Sequence, residues 1–305
     1  MMHPKYSKIL LVFFLIACAF PQVSAPVALL SGILYAVVFG NPVVKKTQKA
    51  THILLQLSVI GLGFGMNTAV ALNAGKKGLG YTIAGIMLTF LIGYILSRLI
   101  KVDKKTSYLI SAGTAICGGS AIAAIAPVIE ARSEDTSVAL GVVFVLNSVA
   151  LILFPMIGHF LGLSEARFGL WAAIAIHDTS SVVGAASHYG KEALAIATPI
   201  KLTRALWIIP VSLVSGFFFK SEVKKLKIPY FIFAFFGAML CNTYFLSMHD
   251  FFQFIFQVSR QGLVITLFLI GSNITLQTMK TVGYKPFALG IILWIIISSL
   301  TLFAV

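Results

Sequence analysis

Apolar residues in this chain arrive in long uninterrupted runs, and polar residues gather in short stretches between them. Runs of this length predict helices that cross a bilayer, whose hydrocarbon core takes about 20 residues of helix. The pattern gives eleven segments, at 9–20, 26–41, 52–72, 79–99, 108–129, 136–161, 168–190, 195–219, 228–247, 259–279 and 285–304. The period-2 alternation of a β-barrel is absent. The predicted fold class is therefore all-α and polytopic, with about 11 spans (10 if one segment does not cross), in a single membrane domain over residues 1–305. The first run reads two ways. Lys5 and Lys8 ahead of Ile9–Phe20, then Val23-Ser24-Ala25, fit a signal peptide, while Pro26 just after the cut favours a retained short helix.

Composition agrees with the pattern. Hydrophobic residues make up 59% and charged residues 10%, and the mean hydropathy is +0.98, which leaves too little polar surface for a water-soluble domain. The net charge of +14 is dispersed between apolar runs, so it argues for membrane topology and against a nucleic-acid partner. With the amino terminus in the cytoplasm, sixteen basic residues fall in inward connections, among them Lys45, Lys101, Lys104, Lys105, Lys220, Lys224 and Lys280. Five fall in outward ones: Lys76, Lys77, Arg132, Lys191 and Arg260. That asymmetry predicts a cytoplasmic amino terminus. Cys18, Cys117 and Cys241 form no metal pair or disulfide pattern, and no HExxH arrangement occurs, so neither metal nor cofactor is expected.

A repeat is visible between 57–80 and 263–283, where Gly65-Met66-Asn67 aligns with Gly271-Ser272-Asn273. The two copies sit in the third and tenth segments, and seven crossings between them reverse their direction. Segments 52–99 and 259–304 are thus candidates for an inverted repeat, a common plan of secondary transporters. Two other segments, 108–129 and 168–190, carry Cys117-Gly118-Gly119-Ser120 and His177-Asp178-Thr179-Ser180-Ser181 near their middles, and such stretches predict broken or re-entrant helices that sit close together; re-entry of either would change the span count.

Broken helices present backbone N–H groups and a positive dipole end to whatever lies at the break. Gly118, Gly119, Ser120, Thr179, Ser180 and Ser181 are on that ground candidate oxyanion contacts; the alternative is that they only cap and pack. His177 and Asp178 are the candidate proton- or ion-coupling pair, Asp178 first, as the acidic residue nearest the middle of a predicted span. Arg204 could clamp an anion or neutralise Asp178, and Lys201, three residues earlier, could share its helical face or snorkel. Asn67 and Asn273 offer both donors and acceptors, whether to substrate or between helices. Asn147 is a lone polar residue in the sixth segment, and Glu130, Glu134 and Asp135 read as an outer loop.

Three motifs, Leu62-Gly63-Phe64-Gly65-Met66-Asn67, Cys117-Gly118-Gly119-Ser120-Ala121-Ile122-Ala123-Ala124 and His177-Asp178-Thr179-Ser180-Ser181-Val182-Val183-Gly184, resemble a bacterial family of sulfate exporters over almost the entire chain. That family is distantly similar to the bile-acid and auxin carriers and the sodium/proton antiporters. The resemblance implies an inverted-repeat bundle in which the two broken helices cross. The expected function is export of a small anion such as sulfate by proton-coupled alternating access, in the bacterial cell membrane and without enzymatic chemistry. The expected partners are the anion, a proton or sodium ion, the lipid bilayer and a second copy in a homodimer. A sodium-coupled organic-anion carrier, a passive channel and an intramembrane enzyme are the alternatives.

Overall fold

The computed structural model describes residues 4–20, 22–23, 25–219, 230–273 and 283–305. Outside these lie the basic stretch 220–227, the start of segment 228–247, and residues 274–282 of the second repeat copy, Lys280 among them. Every regular element among the described residues is helical. In chain order they are α1 (Pro4–Ala17), α2 (Ala25–Val38), α3 (Val44–Gly63), α4 (Thr68–Ile100), α5 (Lys104–Ala115), α6 (Gly119–Ile125), α7 (Ser133–Phe160), α8 (Glu165–Ala175), α9 (Thr179–Tyr189), α10 (Lys191–Ala205), α11 (Ile208–Phe219), α12 (Tyr230–Tyr244), α13 (His249–Asn273) and α14 (Tyr284–Ala304). Five stretches of described helix are long and apolar enough to cross a membrane: Gly78–Ile100, Glu134–Phe160, Lys191–Phe219, His249–Asn273 and Tyr284–Ala304. The fold class is an all-α polytopic membrane protein.

Two expectations along the chain need correcting. The segment at 52–72 is not one helix: α3 ends at Gly63, and α4 begins at Thr68. The outward connection expected around Lys76 and Lys77 is instead inside α4, which runs unbroken for 33 residues.

The chain divides into two compact units, Met1–Ala71 with Pro229–Leu276, and Leu72–Ile228 with Gln277–Val305, the division falling within α4. In the first unit α3 and α13 run antiparallel. Gly61 sits against the Ser259 side chain, Gly262 against Ser58, and Thr47 against Asn273. Small residues at such reciprocal positions let the backbones approach, which matters in lipid, where packing and not water exclusion drives helix association. Gly32 and Gly271 do the same for α2 and α13, each meeting the other helix's backbone directly. Tyr35 closes this core, its hydroxyl donating to the Ser7 carbonyl oxygen at 2.9 Å.

The second unit contains two helical hairpins. In the first, α5 and α6 fold back on each other around residues 116–118, with Gly113 packed on Ile122. Its two ends lie together: Lys105 Nζ donates to Glu130 O at 2.6 Å, and Thr106 Oγ1 to Asp135 Oδ1 at 2.9 Å. In the second, α8 and α9 fold back around residues 176–178. Tyr189 at its far end donates to Leu163 O at 2.6 Å and stacks on Phe168 with centroids 3.7 Å apart. The Glu165 carboxylate accepts from the N–H groups of Glu192 at 2.8 Å and Ala193 at 3.3 Å, so one side chain caps the start of α10 and ties it to the hairpin base.

Helix α7 is the ruler between them. The first hairpin has its base at the start of α7, beside Asp135. The second has its base at the other end, where the His159 ring stacks on Tyr189 at 4.3 Å. Both tips reach the middle of α7: Gly118 packs on Val143, and His177 N donates to Asn147 Oδ1 at 3.0 Å. The eleven residues of α8 rise about 16 Å, half of a hydrocarbon core of about 30 Å. Each of the two broken segments thus turns back to the end of α7 from which it came, a direction that hydrophobic length alone does not record.

Candidate functional site

The tips of the two hairpins meet. A Cβ placed on Gly118 would stand 3.4 Å from both Cα and Cβ of Asp178, in van der Waals contact, so the two tips touch at this glycine. Gly118 also has φ +68, a conformation that glycine adopts without steric cost. At the first tip the chain turns with Gly118 N donating to Gly113 O at 2.9 Å. At the second, Ile176 and Asp178 are extended, with φ −90 and −101, and the amide of His177 between them is taken up by Asn147 from α7.

Two basic side chains from α10 bind the carbonyl ends of both hairpins. Arg204 donates through Nε to Ala115 O at 2.6 Å, through Nη1 to Ile174 O at 2.7 Å and through Nη2 to Thr114 O at 3.4 Å. Lys201 Nζ donates to Ile176 O at 2.7 Å. Both side chains are 0% exposed. The last carbonyls of a helix have no intrahelical partner and carry about half a negative charge per helix, so these bonds satisfy groups that would otherwise be stranded. The snorkelling alternative for Lys201 is excluded by its burial. Arg204 joins one hairpin to the other and forms no pair with Asp178: among the described residues the one ion pair is Arg132–Asp135, at 2.9 Å.

Asp178 serves α9. Its carboxylate accepts from Ser181 N at 3.1 Å, from Ser181 Oγ at 3.3 Å and from the Ser180 hydroxyl. It is an N-cap in an apolar surround, on the positive end of its own helix. His177 beside it is fully buried, and neither ring nitrogen has a hydrogen-bond partner. The serine hydroxyls therefore point to the carboxylate and not to the imidazole, so no Ser-His-Asp relay exists here. Thr179, Ser180 and Ser181 are buried; Gly119 packs on Phe144 of α7, and Ser120 lies on an exposed part of α6. No cluster of His, Cys, Asp and Glu suited to a metal ion occurs among the described residues.

The other two candidates belong to the first unit and do not come together. Asn67 follows the last turn of α3, and its Oδ1 accepts from Ala69 N at 2.9 Å at the start of α4. Asn273 meets the first turns of α3: its Oδ1 accepts from Thr47 Oγ1 at 2.6 Å and Asn41 Nδ2 at 3.3 Å, and its Nδ2 donates to Thr51 Oγ1 at 3.3 Å. The helix between Thr47 and Gly63 separates the two asparagines by about 24 Å. Asn273→Ala is expected to cost about 1–2 kcal/mol of stability, from the bonds left unmade, which thermal unfolding of the purified variant checks.

Glu134 and Asp135, expected in a loop, form the first turn of α7, where Asp135 is buried and accepts from Arg132 and Thr106. The residues that sequence reasoning underweighted are Lys201 and Asn147. The signal for Lys201 was its i, i+3 spacing from Arg204, and for Asn147 its isolation in an apolar run.

These features define a multi-pass membrane protein with a buried polar junction inside one of its two units. The chain belongs to the family described as "Conserved hypothetical protein 698", whose model matches residues 9–290. It is similar to a UPF0324 membrane protein of Bdellovibrio bacteriovorus, at 49% identity over 99% of this chain and 94% of the relative. A UPF0324 membrane protein of Bacteroides thetaiotaomicron is 52% identical over 92% of this chain and 86% of its own length. One of Porphyromonas gingivalis is 50% identical over 90% and 84%. These names specify residence in a membrane and no substrate. No solved structure matches the chain.

Proposed function

We propose that the protein is a secondary transporter that exports a small anion, sulfate first among candidates, by alternating access coupled to protons. The observation that carries this reading is the junction of two hairpin tips around buried Lys201 and Arg204. With both cations and Asp178 ionised, two helix C-termini and two N-termini roughly cancel, which leaves an excess of about one positive charge inside an apolar unit. An anion is what such a place attracts. Gly118 and Gly119 from one tip and Thr179, Ser180 and Ser181 from the other are proposed to face it, with Asp178 or His177 taking the coupling proton; Ser120, on the exposed part of α6, stands outside the junction. The carbonyls that a sodium ion would need at the tips are occupied by Lys201 and Arg204, which disfavours the sodium-coupled alternative. Asn67 and Asn273 are assigned to the framework of the first unit.

In this reading nine of the eleven segments cross and the two hairpins re-enter, one from each face. Direction in the second unit supports that count. Helices α7 and α14 run parallel, with Val142 against Gly290 and Phe154 against Trp294 at 5.6 Å. That direction fits α8–α9 as a hairpin, whereas one more crossing between them would set them antiparallel. The charge asymmetry survives, because Arg132 moves inward as Arg167 moves outward, and a cytoplasmic amino terminus stays part of the proposal. A second inverted pair, besides the candidate 52–99 and 259–304, belongs to this reading: hairpin α5–α6 with α7 and hairpin α8–α9 with α10–α11 would approach from opposite faces.

The test is counterflow of labelled sulfate in proteoliposomes, with Asp178→Asn beside the wild type. Asparagine caps a helix as well as aspartate does, so the variant removes charge and leaves the fold. Saturable exchange by the wild type is expected, slowed in the variant by at least about tenfold, which corresponds to about 1.4 kcal/mol on the barrier. Flux without counterflow would indicate a channel. Exchange of organic anions only, and only with sodium, would indicate the sodium-coupled carrier.

A further inference from the structure

Four buried residues of the second unit carry polar atoms without a hydrogen-bond partner and lie on the elements that build the junction. The atoms are Thr114 Oγ1 on α5, Asn147 Nδ2 on α7, both ring nitrogens of His177 in the second tip, and Thr198 Oγ1 on α10. None of these residues is more than 2% exposed. Native proteins seldom leave such groups unpaired, because each costs what its lost hydration was worth.

Their neighbours tie them to one place. The Asn147 amide is held at the second tip by the bond from His177 N at 3.0 Å, which uses its oxygen and leaves its NH2 group over. The carbonyl of Thr114 receives Arg204 Nη2 at 3.4 Å, and the same guanidinium reaches Ile174 O at 2.7 Å. Thr198 is one turn before Lys201 on the same face of α10, and Lys201 holds Ile176 O, the neighbour of His177. The unpaired set is thus two hydroxyls, one amide NH2 and one imidazole. Every member can donate, and no carboxylate is among them. The basic side chains of Lys201 and Arg204, both fully buried, stand beside them.

All four can donate at once to a partner that only accepts, and an acceptor with several oxygens satisfies them best. We infer that Thr114, Asn147, His177 and Thr198 form the substrate-binding lining for a small oxyanion, and that Lys201 and Arg204 are positioning residues that hold the tips around it. The inference rests on the anion-carrier reading and names the contacts of that site. Chloride, a single sphere, meets the set less well than an anion whose charge is shared over several oxygens.

The test is equilibrium binding of labelled sulfate to the purified full chain in detergent, with thermal unfolding measured on the same samples. Thr198→Val removes only the hydroxyl, and Asn147→Asp keeps the acceptor for His177 N while replacing the NH2 donor with a carboxylate. Each is expected to weaken sulfate binding at least about tenfold. Thr198→Val should unfold no earlier than wild type, since its hydroxyl bonds no protein group. Thr198→Ser, which keeps the hydroxyl, should bind as wild type does, and this pair decides the matter if Asn147→Asp fails to fold. Ser212→Ala, which deletes an unpaired buried hydroxyl on α11, should leave binding unchanged. Wild-type affinity in Thr198→Val would overturn the inference and leave the carrier reading standing, the groups then holding water alone. Failure of the wild type to bind sulfate or any competing oxyanion would overturn both.

Discussion

Arg204→Met is expected to lower stability by on the order of 3–5 kcal/mol, with wild-type fold recovered only in part by Arg204→Lys. The reason is what the guanidinium touches. Its three nitrogens donate to Ala115 O, Ile174 O and Thr114 O, the carbonyl ends of two different hairpins. Methionine fills similar volume but leaves those buried carbonyls without the donor they now have. An unmade bond to a buried group costs about 1–3 kcal/mol, and hydrogen bonds to a charged donor stand at the upper end. Lysine keeps the charge but not the planar fork, so it can serve one tip at a time. Lys201→Met should cost less, because one carbonyl, Ile176 O, is at stake. Thermal unfolding of the purified variants reads the effect directly. If Arg204→Met unfolds at the wild-type temperature and loses only sulfate binding, the guanidinium clamps substrate and the positioning role falls.

That distinction shows where sequence reasoning ends. Arg204 in an apolar run is visible as an expensive charge with a purpose, yet its partners are backbone carbonyls, and a carbonyl has no letter. His177 and Asp178 are adjacent in the sequence, but the structure gives them unlike surroundings, the imidazole sealed and unpaired and the carboxylate capping α9. Gly118 is legible as a residue that admits close approach, while the group approaching it, Asp178, lies sixty positions on and could come only from the fold. The likeness of Gly65-Met66-Asn67 to Gly271-Ser272-Asn273 is equally real on the page, and it still places the asparagines at opposite ends of α3. Apolar runs fix which residues avoid water. They carry no record of whether a run of about 20 residues goes through or turns back, since both bury the same side chains.

Direction is therefore the point most open to a sharp experiment. Cysteines introduced singly for Lys104, Glu134, Leu161 and Lys191, in a chain whose Cys18, Cys117 and Cys241 are replaced by alanine, would be probed with a membrane-impermeant maleimide on intact cells. All four parent residues are exposed and lie at the hairpin bases, Lys104 and Glu134 at one and Leu161 and Lys191 at the other. Re-entry requires the two members of each pair to react from the same face and the two pairs to react from opposite faces. With the amino terminus inside, Leu161→Cys and Lys191→Cys should label on intact cells, and Lys104→Cys and Glu134→Cys only after permeabilisation. The contrast is all-or-none, because a maleimide that cannot cross the bilayer cannot report from its far side. A reversed pattern would keep both hairpins and turn the protein over, against the distribution of its lysines and arginines. Labelling of Lys104→Cys and Glu134→Cys from opposite faces would make α5–α6 a crossing. It would also break the tie between Thr106 and Asp135, two groups 2.9 Å apart that cannot sit on both sides of one membrane.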